Sequence, residues 1–299
     1  MAKRYNIFIA SVFLILIALT LAGAFLDLEI AKAVYIGEGF SENSFGVIFA
    51  FIGIIPTFVG WAFLGASILP FIKTREMGIG KKRALITLSV LLFVLSFFYF
   101  CNTLMMVNDR AFSVPWYLAY PIGIVIIALA AYGGYILAKR GKSEKLLEKL
   151  VFLSAVSILT MLIIMATKGI MDRPRFRFVL EMQNDGYFRS FWQRGSDIKA
   201  SVSSGALSDE FSSFPSGHSA YSMFAIFIFP ALADFLPRLE KFKGALFAFG
   251  FVWWALTAFS RLTVGAHYLS DVSLAGAVCI LSYGLVAAFK KIVLRKRKS

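Results

Sequence analysis

Two histidines occur in this chain, and each stands where a reactive side chain could be held. His218 closes the run Pro215-Ser216-Gly217-His218, at which a loop turns into an apolar segment. Proline suits the entry to a helix, and glycine lets the backbone approach another group closely. The N–H groups of Gly217 and His218 would open that helix without intrahelical partners, at the positive end of its dipole, a setting that favours an anion. His267 follows Ser260-Arg261 and precedes Asp271 by one helical turn. From there the carboxylate can accept a hydrogen bond from one ring nitrogen, leaving the other free to react. A third segment, KGIMDRPRF, supplies Lys168, Arg173 and Arg175, with Arg177 just beyond. Guanidinium forks match phosphate oxygens, so this cluster points to a phosphate. Each feature also has a plainer use: an Asp that caps a helix, a Lys that snorkels from a helix end, arginines in a solvated loop. Two histidines and an aspartate are zinc donors too, but the surrounding cations favour an anion, and no metal or other cofactor is expected.

The frame that must position these residues is a membrane protein. Of 299 residues, 59% are hydrophobic and 16% charged, and the mean hydropathy is +0.76. That is too apolar for a soluble globule of this length. Runs long enough to span a bilayer are read at Tyr5–Phe25, Phe45–Ile72, Ala84–Leu104, Trp116–Ala138, Leu150–Thr167, Gly217–Leu236, Ala245–Arg261 and Asp271–Phe289. These predict an all-α, polytopic bundle of about eight spans, the second of them long enough to tilt or to kink at Pro56. The first run is read as an uncleaved span rather than a signal peptide. Cys101 and Cys279 lie inside apolar runs and read as small buried hydrophobes.

Lys and Arg concentrate at the amino terminus, in Lys73–Arg83, Lys139–Lys149 and Pro237–Lys243, and in the tail from Lys290. By the positive-inside rule these segments and both termini are cytoplasmic. Lys168, His218 and His267 then all fall on the extracytoplasmic face, where a Lys/Arg cluster runs against the topology signal and needs a ligand to explain it. The net charge of +14 is thus mostly a topology and lipid-surface signal, with membrane lipids as partners and no nucleic-acid motif behind it.

Together the three segments resemble the type 2 phosphatidic acid phosphatase superfamily, which includes membrane lipid phosphatases and soluble vanadium haloperoxidases. The family pattern is Lys, six residues, Arg-Pro; then Pro-Ser-Gly-His; then Ser-Arg, five residues, His, three residues, Asp. The second and third elements are complete here. The first has Lys168 and Arg175, but Phe176 replaces the usual Pro and Asp172 stands where Gly is frequent. The resemblance covers roughly Thr160 to Phe289. It implies a catalytic core over 150–299, with an outer loop over 168–216. Residues 1–149 form a further membrane region of about four spans, longer by a hairpin than usual in the family and without an assigned role.

The resemblance also implies roles. His267 would be the nucleophile, forming a phosphohistidine, with Asp271 orienting it. His218 would be the general acid and would activate water in the second step. Lys168, Arg175, Ser216, Gly217 and Arg261 would bind the phosphate, with Ser260 supporting Arg261. Arg173 and Arg177 are candidates for a second phosphate or a headgroup. The substrate would be a lipid phosphate, with undecaprenyl diphosphate, phosphatidic acid and phosphatidylglycerophosphate all open. A phosphotransferase of the same chemistry and a transporter or flippase are the rival readings. Transport is disfavoured because the span centres look free of charge. The loop aromatics Phe178, Tyr187, Phe188, Phe191 and Trp192 read as an interfacial belt or a substrate lid.

Overall fold

A computed structural model of the chain describes residues 2–106, 115–141, 143–202 and 208–296. Residues 203–207 of the outer loop lie outside the described residues. The protein is 84% helical without strands among the described residues. Among the described residues, eight stretches are long and apolar enough to cross a membrane, which makes this a multi-pass membrane protein.

The helices are α1 (Ala2–Val34), α2 (Ser44–Ile52), α3 (Ile55–Thr74), α4 (Ile79–Met106), α5 (Trp116–Gly141), α6 (Glu144–Met171), α7 (Phe176–Glu181), α8 (Ser196–Ser201), α9 (Gly217–Met223), α10 (Ala225–Phe235), α11 (Lys243–Thr263) and α12 (Leu269–Lys296). The second span breaks between α2 and α3, and Pro56 sits in the first turn of α3. A missing N–H costs nothing there, so the proline starts a helix instead of kinking one. The sixth span is divided at Phe224 into α9 and α10, and Pro230 withholds a further N–H inside α10.

α1 runs nine residues past its expected end at Phe25. Asp27 and Glu29 end the apolar run in the sequence, but a helix does not stop at a charge that finds a partner. Asp27 is buried and paired. The helix therefore carries it into the protein interior.

α12 is packed by α1, α6 and α9, while α11 is packed by α2, α9 and α10. α3, α4 and α5 form a second group, joined to the first where α3 meets α6. Phe58, Trp61, Tyr99 and Tyr221 interlock at that seam, and Trp61 Nε1 donates to Ser157 Oγ at 2.9 Å. One end of the bundle carries charge pairs: Asp234 with Lys149 and Lys243, and Lys290 with Glu148. Lys168 lies nineteen residues along α6 from Lys149, roughly 28 Å at 1.5 Å per residue. The three motif segments meet at that far end.

Candidate active site

The amino terminus of α12 organises the site. Tyr268 caps the helix and Asp271 is its third residue. Asp271 Oδ2 reaches back to accept the Tyr268 N–H at 2.8 Å, half of a capping box. The same carboxylate accepts from Ser213 Oγ at 2.5 Å and, through Oδ1, from Arg173 at 2.5 Å. Ser216 N–H donates to the Asp271 carbonyl at 3.2 Å, tying the Pro-Ser-Gly-His turn to the same helix start.

His267 precedes this cap and is 2% exposed. The expected bond from its ring to Asp271 is not made, because Nδ1 lies 3.8 Å from Asp271 Oδ2, beyond hydrogen-bond range. Nδ1 instead meets the carbonyl oxygen of Ser213 at 2.5 Å. A carbonyl only accepts, so Nδ1 carries the proton and Nε2 keeps its lone pair. Asp271 acts one step back, fixing Ser213 through its hydroxyl. Ser213 was missed in the sequence because its contribution to the ring is a backbone acceptor, which has no residue signature. The turn into His267 depends on Gly265, whose φ of +64° lies in the left-handed region.

Cations surround this ring. Lys168, near the end of α6, donates from Nζ to the Ser212 carbonyl at 2.7 Å. Arg261, near the end of α11, is buried; Nε reaches Ser260 Oγ at 3.3 Å and NH2 donates to the Gly46 carbonyl at 2.6 Å. Arg175 caps α7 and binds Asp209 through Nε to the carbonyl at 2.9 Å and NH2 to Oδ1 at 2.8 Å. His218, in the first turn of α9, lies within electrostatic reach of Arg261, His267, Lys168 and Arg175. Ser216 is the cap of α9, its Oγ accepting the Ser219 N–H at 3.3 Å. The residues singled out at 168, 175, 216, 217, 218, 261, 267 and 271 are thus drawn to one end of the bundle. Among the described residues no three His, Cys, Asp or Glu side chains cluster as a metal site.

Arg173 is placed differently from expectation, whereas Arg177 stays near Arg261. Arg173 is fully enclosed, with NH1 on Asp271 and Ser270 Oγ, NH2 on Asp27 at 2.9 Å and Nε on the Arg189 carbonyl. Its guanidinium lies over the ring of Tyr268, 4.3 Å from the centroid. Every arm is committed inside the protein, so it faces neither a second phosphate nor a headgroup. Arg177 makes a two-pronged pair with Glu210, at 2.9 and 2.7 Å. Asp27 was missed because it follows the first apolar run. Its signal was a small and polar face on that helix, Thr20, Gly23 and Asp27, at helical spacing.

Both departures in the Lys/Arg element have local causes. Asp172 ends α6 in the left-handed conformation, φ 45° and ψ 36°, which glycine adopts freely and Asp tolerates. Its carboxylate is held by Lys199 Nζ at 2.6 Å. Phe176 is the first residue of α7, a position where proline is favoured because its missing N–H is unneeded. Here the ring is worth more than the fixed φ: it packs edge-on against Tyr35 and Tyr268. Of the loop aromatics, Phe178 is buried against Phe211 and Phe188 packs on Tyr268. They are core residues of the loop, whereas Trp192 is exposed.

Burial holds the His267 imidazole well below its ordinary value, at about 3. Asp271 pulls it up, while Arg175 and Lys168 push it further down. The ring is therefore neutral near pH 7, with Nε2 available. Partial loss of water around its carboxylate pushes Asp209 up, but Arg175, Lys168 and Arg177 outweigh that and leave it below the usual carboxylate range.

Residues 149–297 match the family model of the PAP2 superfamily. Phosphatidylglycerophosphatase B of Bacillus subtilis (strain 168) is 34% identical over 90 residues, which are 29% of this chain and 43% of that relative. The chain thus spans less than half the length of this curated relative. No solved structure matches it. With the histidines, the cations and the capped Asp271 assembled within the matched segment, the chain belongs to the PAP2 superfamily through residues 149–297.

Proposed function

We propose that the protein is a membrane lipid phosphatase that hydrolyses a phosphate monoester through a phosphohistidine at His267. The observation that carries this reading is the Nδ1 contact to the Ser213 carbonyl, which leaves Nε2 as the nucleophile beside Lys168 and Arg175, with Arg261 next to His218. Nε2 attacks phosphorus as the bond to the ester oxygen breaks. Lys168, Arg175, Arg261, the Ser216 hydroxyl and the N–H groups of Gly217 and His218 stabilise the phosphoryl oxygens. His218 gives its proton to the departing lipid alkoxide. In the second step His218 takes a proton from water as the water attacks phosphorus, and His267 is released. The charge neutralisation that a metal supplies elsewhere comes here from side-chain cations, so the reaction is proposed to need none.

The position of Arg173 supports one substrate class over another. Arg173 is locked between two buried carboxylates, which weakens the case for its joining Arg177 on the second phosphate of a diphosphate head. A glycerophospholipid monophosphate fits better, and the name of the Bacillus relative makes phosphatidylglycerophosphate the first to test. The Lys/Arg bias supports cytoplasmic termini and an extracytoplasmic site. A lipid phosphate could then enter at headgroup depth with its chains in the bilayer.

The test is phosphate release by purified protein in detergent across a panel of lipid phosphates, with product analysis, excess chelator and vanadate as separate arms. Release from a monophosphate lipid that persists in chelator and is inhibited by vanadate is expected. Activity abolished by chelator and restored by a divalent cation would overturn the metal-free mechanism. Transfer of phosphate to a second lipid in place of water would overturn hydrolysis.

A further inference from the structure

We propose that Asp27, on α1, is a positioning residue for His267, acting through Arg173 and Asp271. This rests on the reading of His267 as nucleophile. Asp27 lies outside residues 149–297, the segment that carries the family match, and so supplies a role for the helix that precedes that segment.

Each oxygen of Asp27 has its own task. Oδ1 accepts the Ser270 backbone N–H at 2.9 Å, in the first turn of α12. Oδ2 accepts from Arg173 NH2 at 2.9 Å and from the Ser270 hydroxyl. Arg173 NH1 then holds Asp271 Oδ1 at 2.5 Å. Asp271 Oδ2 fixes the Ser213 hydroxyl, and the Ser213 carbonyl fixes His267 Nδ1. Asp27, Arg173 and Asp271 are all at most 2% exposed, so no solvent can substitute for a missing arm. A planar guanidinium with a carboxylate on each side sets the position of one against the other. With Asp27 neutral, Arg173 keeps its Nε bond to the Arg189 carbonyl and its NH1 bond to Ser270 but loses the charge that balances the pull of Asp271, so the guanidinium shifts towards Asp271 and takes the carboxylate out of register with Ser213.

The approach of α1 to this point is built into its sequence. A Cβ at Gly23 would lie 2.6 Å from Ser270 N and 2.7 Å from Asp27 Oδ1, so only glycine allows the contact. One turn further along, Thr20 Oγ1 meets Ser273 Oγ at 2.9 Å. Thr20, Gly23 and Asp27 therefore form one face of α1 laid against the start of α12.

Asp27→Asn keeps the shape and, through Oδ1, the acceptor for the Ser270 N–H, while it removes the charge and the Oδ2 acceptor shared by Arg173 and the Ser270 hydroxyl. It is expected to lower kcat by about 10- to 100-fold, the usual cost of losing a partner that orients a reactive side chain, with KM for phosphatidylglycerophosphate changed by less than about threefold. Arg173→Gln should lose at least as much, and adding Asp27→Asn to it should lose little more, because the two act in series. Asp27→Glu should restore part of the lost kcat, and it serves in place of Asp27→Asn should that variant not fold.

A second readout needs no turnover. In a His218→Gln background His267 is the one remaining histidine, so nitrogen-15 histidine spectra report its tautomer directly. The proton is expected on Nδ1. Asp27→Asn should move the ring signals towards a tautomer mixture, and Asp234→Asn, at the opposite end of the bundle, should leave them in place. Wild-type kcat with unmoved signals in folded Asp27→Asn would overturn the proposal. So would full additivity with Arg173→Gln. A wild type that hydrolyses no lipid phosphate would remove the reading of the site and leave the tautomer to judge Asp27.

Discussion

Asp209 occupies one of the cations that the substrate phosphate needs, and neutralising it should tighten binding. Its carboxylate lies 2.8 Å from Arg175 NH2 and 3.5 Å from Arg177 NH2. The side chain is 63% exposed, so the pair belongs with surface ion pairs worth roughly 0.5–1 kcal/mol. A phosphate that engages Arg175 must displace or share that carboxylate. Asp209→Asn should therefore lower KM for a lipid monophosphate by about two- to fivefold, the same free energy expressed as a ratio. The constant for inhibition by inorganic phosphate should fall by the same factor. kcat should stay unchanged, because Arg175 Nε still donates to the residue 209 carbonyl and keeps its place. The effect should hold at any pH above the ordinary carboxylate range, since Asp209 is held below that range and stays ionised there. The assay is steady-state phosphate release with phosphate as competitor. An unchanged or raised KM, or a fall in kcat, would refute the view that Asp209 and the substrate compete for one arginine.

Two further outcomes follow from the site's construction. Asp172→Val should lower stability by about 1–2 kcal/mol, because a β-branched residue is forced into the left-handed conformation at the end of α6, whereas Asp172→Gly should be near neutral; melting curves in detergent that rank the two alike would exclude this cause. His267 has its folded pKa at about 3 against roughly 6.5 unfolded, so between these values the unfolded state binds the extra proton. Its contribution to stability is full above about pH 6.5 and is lost as pH falls, by up to about 1.4 kcal/mol per unit. His267→Gln should flatten that acid slope, and an unchanged slope would show that the ring is not buried in neutral form.

The sequence carried the bundle and the meeting of its motifs further than it carried the hydrogen bonds between them. Apolar run length and Lys/Arg distribution are local quantities, so the eight spans and their shared end could be read directly. The motif spacing likewise marked Lys168, Arg175, His218, Arg261 and His267, each near the end of a span. Partner choice is a tertiary quantity. Nothing local distinguishes Arg173, which faces two buried carboxylates, from Arg175, which faces the site two residues later. Asp27 escapes because its charge ends the apolar run of the first span, although a paired carboxylate can remain within a helix. Asp271 shows the two readings merging: it caps α12 as the plainer reading had it, and through Ser213 it also sets the ring of His267.

The measurement that bears most directly on the central claim is trapping of the phosphoenzyme. His218→Ala should form it from an aryl phosphate, whose acidic phenol leaves without a proton donor, and should hydrolyse it slowly because water is no longer activated. Quenching under denaturing alkaline conditions and peptide mapping should find the phosphate on His267, with none trapped in the variant that also carries His267→Ala. Phosphate on another residue, or label retained when His267 is absent, would contradict the assignment of His267 as the nucleophile.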